Sequence, residues 1–122
     1  MSRMLNFVSR RSAKIEELPF ISAEGVKQQN GKENSKLWLV IDDIVYDCST
    51  FARQHPGGEA VLKNFGGKDC SWQYHKIHGM NSNKANKLLP KLRIGRTKAV
   101  ENPYDKPKTD HVEFIRVSTG YN

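Results

Sequence analysis

Two apolar runs, "LWLVI" and "IVY", stand either side of Asp42-Asp43 alone, and this constrains the fold more than any other feature of the chain. β-branched and aromatic residues favour strands, and a two-residue polar connection favours a tight hairpin. The next stretch, "FARQHPGGEAVL" (residues 51–62), forbids a continuous element. Ser49 or Thr50 caps a short helix over Phe51 to Gln54, which stops before Pro56 because proline drives its predecessor out of the helical region. Gly57 and Gly58 then allow an unusual turn, or a close approach of something flat. His55 is left at the end of one short helix beside a surface without side chains. Gly58 and Glu59 open a second helix, "EAVLKNF", with Val61 and Leu62 inward and the acid at its positive end. Gly66-Gly67 close it.

A third helix, "DCSWQYHKI", runs to His78-Gly79. A fourth, "NSNKANKLLPKL", has Asn81 or Ser82 near its cap, and "RIGRT" reads as a closing strand. Upstream, "ISAEGVKQQN" reads as a short helix with Ser22 as N-cap and Val26 as a core contact, and "NGKENSK" as a loop. The expected fold is α+β: a small mixed sheet with two pairs of short helices forming the walls of a slot. Each side of the slot ends in a histidine, His55 on one and either His75 or His78 on the other.

Size makes such a slot consequential. With 122 residues and 37% apolar content, the chain builds a marginal core, and a bound cofactor would be part of what holds it together. The expected organisation is a flexible basic arm over 1–18, one domain over 19–97 and a flexible polar tail over 98–122. No run approaches the ~18 apolar residues that span a bilayer. The basic, acid-poor start "MSRMLNFVSRRSAKIEEL" lacks a secretory pattern, and mitochondrial or nuclear targeting is the alternative to a cytoplasmic home. Cys48 and Cys70 are too few for a disulfide scaffold and suit a reducing compartment.

The formal charge of +7 is localised. Arg53 to Arg96 holds nine basic residues against Glu59 and Asp69, so that segment carries the entire excess. Such a face either keeps the protein soluble or attracts something acidic.

Two neutral imidazoles facing across a slot ligate a flat metal complex from both sides. With both axial positions filled, the chemistry left is one-electron transfer.

The stretch "LWLVIDDIVYDCSTFARQHPGGEAVLKNFGGKDCSWQYHKIHG" resembles the haem-binding domain of the cytochrome b5 family. "WLVIDDIVYD", "HPGGEAVL" and "GGKD" carry the likeness, which covers about Phe20 to Thr97 with "RIGRT" as the last strand. The resemblance implies haem b held by His55 and a second histidine. His78 lies 23 residues after His55, the spacing of the fused flavocytochrome members. His75, about a turn earlier on the same helix, could not replace it without sliding that helix. The resemblance further implies that Ile41, Cys48, Phe51, Val61, Leu62, Tyr74 and Ile77 pack on the porphyrin, with Gly57 and Gly58 making room and Trp38 structural. It departs from the family at Gly79, where many relatives carry a propionate-binding serine, and Asn81, Ser82 or Lys84 are candidates to serve instead. It departs again at Arg53, Lys63, Lys76, Lys84 and Lys87, where well-studied relatives carry carboxylates. The implied protein is a monomeric electron carrier rather than an enzyme, without the apolar tail of anchored forms, meeting redox partners that present acidic docking faces.

Three other readings compete. A zinc site from Cys48, Cys70, His75 and His78 lacks any Cys-x-x-Cys pair. A nucleic-acid module would interleave its aromatics with lysines on an exposed sheet, whereas here they fall at pocket positions. A haem-associated binding protein without electron transfer, like the progesterone-receptor membrane-component relatives, would lack the paired histidines.

Overall fold

The computed structural model describes residues 14–78 and 83–108. The expected basic arm before Lys14, the cap at Asn81 or Ser82, Gly79 and the tail beyond Lys108 lie outside the described residues. Among the described residues, a hairpin forms the centre of the structure. Strands β1 (Trp38–Ile41) and β2 (Ile44–Asp47) pair antiparallel, with Leu39 opposite Tyr46, Val40 opposite Val45 and Ile41 opposite Ile44. Asp42 and Asp43 both take left-handed backbone angles, φ 52° and 63°. Two such residues in succession match the twist of the flanking strands, and aspartate tolerates that region better than most side chains.

Strand β3 (Lys68–Asp69) adds parallel to β1, and β4 (Arg93–Arg96) adds antiparallel to β2 with an irregularity at Val45/Tyr46. The sheet is therefore mixed, in the order β3-β1-β2-β4. The sequence reading foresaw β4 but not β3, whose two residues sit directly after the glycine turn and carry no strand-forming side chain.

Side-chain alternation divides the hairpin between two cores. Leu39, Ile41, Ile44 and Tyr46 point to one face, into a cluster with Leu18, Leu37, Cys48, Ala52 and Cys70. Val40 and Val45 point to the other, where they meet Val26, Ile21, Ile94, Val100 and Trp38. Val26, Val40 and Val45 are fully buried, which stabilises the fold by about 1.5–3 kcal/mol for each such side chain. Trp38 belongs to this second cluster, in keeping with a structural role.

Helix α1 (Ala23–Gln28) is capped as expected, with Ser22 Oγ accepting from the Gly25 N–H at 3.0 Å. A 3₁₀ turn over Phe51–Gln54 follows the hairpin, but neither expected cap serves it: Thr50 makes no side-chain cap bond. Ser49 Oγ instead accepts from the Leu37 N–H at 2.9 Å and donates to Asp47 at 2.6 Å, tying the two ends of the hairpin. Helix α2 (Glu59–Lys63), α3 (Ser71–His78) and α4 (Asn83–Leu92) complete the walls on the Leu39/Tyr46 face. Leu62, Phe65, Tyr74, Leu89 and Leu92 pack from that side onto the first cluster.

The domain reaches further at both ends than 19–97. Leu18 is buried in the first cluster, behind a 3₁₀ turn over Ile15–Glu17. Beyond Lys98, where a tail was expected to begin, the chain is held by specific polar contacts. The Asp69 N–H donates to the Glu101 carbonyl at 2.9 Å, and the Trp72 indole N–H donates to the Tyr104 carbonyl at 3.0 Å. Asn102 bonds both Gln73 and Asp69. A polar sequence does not reveal such a strap, because, apart from Val100 in the second cluster and Tyr104 against Phe65, it is held by polar groups at the ends of β3 and α3.

Candidate functional site

His55 is positioned entirely by its neighbours in sequence. Its own N–H closes the 3₁₀ turn on Ala52, and its extended backbone (φ −68°, ψ 122°) is the one required before Pro56. The chain then reverses, so that the Gly58 N–H returns to the His55 carbonyl at 2.9 Å. The Nδ1 of the His55 ring lies 3.0 Å from the Gly58 carbonyl oxygen. A carbonyl only accepts, so Nδ1 carries the proton and the neutral ring keeps its Nε2 lone pair for another partner. Both glycines are needed for this. A Cβ on Gly57 would stand 2.9 Å from Cε1 of the His55 ring, and Gly58 holds φ 103°, a conformation closed to other residues. The Phe51 ring meets the His55 ring edge-on, centroids 5.8 Å apart.

The last turn of α3 brings His78 to the same slot. Its ring lies tilted on Tyr74, centroids 4.7 Å apart, as i and i+4 positions of a helix allow. Tyr74 is held in turn by its hydroxyl, which donates to Asn86 Oδ1 of α4 at 3.1 Å. The pKa of His78 falls below the usual histidine value, first because burial penalises the charged ring and then because His55 repels a second positive charge. The two imidazoles thus feel each other electrostatically, and His78 favours the neutral state in which a ring nitrogen donates its lone pair.

His75 is turned to other work. Its Nε2 lies 2.8 Å from Asp42 Oδ2 at the hairpin tip, with both side chains largely exposed. The helix that presents His78 to the slot therefore presents His75 to the turn.

Ile41 and Cys48 belong to the first apolar cluster, and Leu62 and Tyr74 pack against it. Phe51 is half-buried beside His55. Val61, expected inward, stays 46% exposed while its neighbour Leu62 packs down, because adjacent helix positions point about 100° apart. Ile77 is 72% exposed. These two apolar side chains stand open, Val61 on α2 just after the His55 turn and Ile77 on α3 next to His78. Sequence reasoning passed over Leu89 and Leu92, which pack against the same cluster from α4. The signal was the amphipathic spacing within "NKANKLLPKL".

Both cysteines are buried in the first apolar cluster. Burial pushes both thiols up to about 12. Among the described residues no three His, Cys, Asp or Glu side chains gather as a metal site. The Cys48, Cys70, His75, His78 grouping is therefore set aside: the thiols serve as core, and His75 engages Asp42. The elements that carry the two histidines and their neighbours also carry cations. Arg53 on the 3₁₀ turn, Lys63 on α2, Lys76 on α3 and Lys84 and Lys87 on α4 are all exposed. Among these, Lys63 pairs with Glu59 at 3.3 Å.

Comparison with known proteins places the chain in a family. Residues 22–98 match the model of the cytochrome b5-like haem/steroid-binding domain. Cytochrome b5 of Saccharomyces cerevisiae is 37% identical over 102 residues, 83% of this chain and 74% of that protein. The NADPH nitrate reductase of Phytophthora infestans is 37% identical over 101 residues, and there the chain spans 11% of the relative's length. Among solved structures, the cytochrome b5 of Ostreococcus tauri virus 2 superposes with a TM-score of 0.54 at 33% identity, covering 64% of this chain and 95% of that one. Cytochrome b558 of Ectothiorhodospira vacuolata superposes with a TM-score of 0.55 at 26% identity, over 65% of this chain and 98% of that one.

Proposed function

The chain belongs to the cytochrome b5-like haem-binding family, and we propose that it is a one-electron carrier whose haem b iron is ligated by His55 and His78. The observation that carries the proposal is the pairing of two imidazoles, one with its tautomer fixed by Gly58 and the other with its pKa lowered by burial and by the first. The surroundings suit a flat apolar group. Ile41, Cys48 and Leu62 contribute to the first apolar cluster, and Val61 and Ile77 hold apolar surface in the open. Haem held between two imidazoles supplies electron transfer without an open coordination position.

The chain's own part is to aim both rings, to favour the neutral form of His78 and to keep water from the face of the site. Phe51 and Tyr74 brace the two rings, and Gly57 leaves room for the His55 imidazole. No step here makes or breaks a substrate bond, so the domain by itself is a carrier and not an enzyme. The cations Arg53, Lys63, Lys76, Lys84 and Lys87 select redox partners with acidic docking faces. The free, buried Cys48 and Cys70 suit a monomer in the reducing cytoplasm, and no described helix is long and apolar enough to cross a membrane. A second reading, a haem domain built into a larger oxidoreductase, is favoured by the nitrate reductases among the relatives and leaves the chemistry of the site the same.

Titration with haemin followed by anaerobic reduction and reoxidation tests the proposal. One haem per chain, cycling reversibly by one electron, supports it. Absence of stoichiometric uptake, or haem that cannot be cycled, contradicts it.

A further inference from the structure

One residue of the hairpin turn holds helix α3 at two points. The backbone N–H of Asp42 donates to Ser71 Oγ at 2.8 Å, and Asp42 Oδ2 accepts from His75 Nε2 at 2.8 Å. Ser71 is itself fixed, because its Oγ donates to Asp69 Oδ1 at 2.6 Å and its N–H to Asp69 Oδ2 at 3.1 Å. Asp42 meets both positions from a left-handed backbone of φ 52°.

Positions 71, 75 and 78 lie along one stripe of an α-helix. The two attachments to Asp42 therefore sit on the same side of α3 as His78, at its first turn and at its second. Trp72, Gln73 and Tyr74 are held by Tyr104, Asn102 and Asn86 at other positions of α3, and a single attachment on this stripe would constrain the helix's rotation about its axis less than two. Two attachments a turn apart, made to one residue, fix that rotation and hence the direction in which the next turn projects its side chain. A contact between side chains as exposed as these adds little to overall stability. Its consequence is orientation.

We propose that the Asp42–His75 contact is a latch that sets the rotation of α3 and so aims the His78 imidazole at the haem iron. Asp42 and His75 are then positioning residues, acting through His78. The inference rests on the ligation proposed above, and it assigns His75 a role without making it a ligand.

The test uses the haem-loaded protein with three substitutions. Asp42→Gly removes the carboxylate while keeping the left-handed turn and the N–H to Ser71; His75→Ala removes the donor; His75→Gln keeps one. Three quantities are read: the g-values of the ferric protein, the rate of haem transfer to excess apomyoglobin, and amide exchange of residues 76–78 in the apoprotein. Asp42→Gly and His75→Ala should stay low-spin, shift the g-values and lose haem about tenfold faster, the low end for residues that orient metal ligands. His75→Gln should recover most of the loss, and the double variant should be no worse than either single one. Unchanged g-values and haem-loss rates overturn the latch, even where amide exchange quickens, because the contact then only fastens the helix. Additive effects of the two single substitutions overturn it as well. A wild-type protein that is not low-spin instead rejects ligation by His78, and the latch falls with it.

Discussion

The Nδ1 proton of His55 is given to the carbonyl oxygen of Gly58, 3.0 Å away and three residues on, so the turn that ends one helix also fixes the tautomer of the ring it presents. Proline, the two glycines and the histidine thus form one device. Pro56 sets the backbone of His55, Gly57 leaves room for its ring, and Gly58 supplies both the reversal and the acceptor. Gly57→Ala should leave the fold intact but push the His55 ring aside, because the added Cβ would sit 2.9 Å from Cε1. Haem affinity is expected to fall by about 10–100-fold, as for loss of other groups that orient metal ligands. A haemin titration of the variant, set beside its unchanged circular dichroism, checks this.

The lowered pKa of His78 gives the apoprotein a stability that depends on pH. Between its folded value and the ordinary 6.5, the unfolded chain binds more protons than the folded one. Stability therefore rises as pH rises through that window, is fully present above 6.5, and is lost as pH falls. The midpoint of urea unfolding of the apoprotein, followed across mildly acidic pH, should show this slope, and His78→Gln should flatten it. Acidification should also release haem, since a protonated imidazole has no lone pair to offer.

His75→Ala should keep a low-spin visible spectrum, with the finer changes in g-values and haem loss described above. His75 makes its contact at the hairpin tip, 2.8 Å from Asp42, whereas His78 shares its surroundings with His55. Ferric and ferrous spectra of the two alanine variants, recorded together, separate a positioning residue from a ligand.

The exposed cations Arg53, Lys63, Lys76, Lys84 and Lys87 predict an opposite salt response for two small oxidants. Reoxidation of the reduced protein by anionic ferricyanide should slow as ionic strength rises, and reoxidation by a cationic cobalt complex should quicken, because exposed charges are screened over about 10 Å at 0.1 M salt. Stopped-flow rates across salt concentrations measure both. Equal, flat dependence would reduce these residues to a solubility role.

The strap beyond Lys98 carries stability. Asn102→Ala removes bonds to Gln73 and Asp69 and leaves their polar atoms part-buried. A loss of about 1–3 kcal/mol is expected from such orphaned groups, visible as a lower thermal midpoint with little change in the haem spectrum.

How much of this was legible in the sequence follows from how local each determinant is. The hairpin was legible because Asp42-Asp43 and the flanking apolar alternation act over ten residues, and the setting of His55 because proline and glycine act on their immediate neighbours. Ser22 and Val26 were found in the same way. β3 was not, because Lys68 and Asp69 become a strand only by lying beside Leu39 and Val40. Nor was the strap, whose bonds join residues about thirty positions apart. The choice between His75 and His78 lay between these extremes. Helical spacing limits it to one of the two, and the resemblance to a known family pointed to His78. The partner at Asp42 that occupies His75 becomes evident only when the hairpin tip is placed against α3.

The central claim is that two histidines, His55 and His78, ligate one haem iron. The most direct test is the visible and ferric resonance spectrum of the haemin-reconstituted protein, with His55→Ala and His78→Ala beside it, before and after dithionite. The account predicts a low-spin wild type with a sharp Soret shift on reduction, and loss of stable low-spin haem in each variant. A high-spin or colourless wild type, or a low-spin spectrum that survives either substitution, would contradict it.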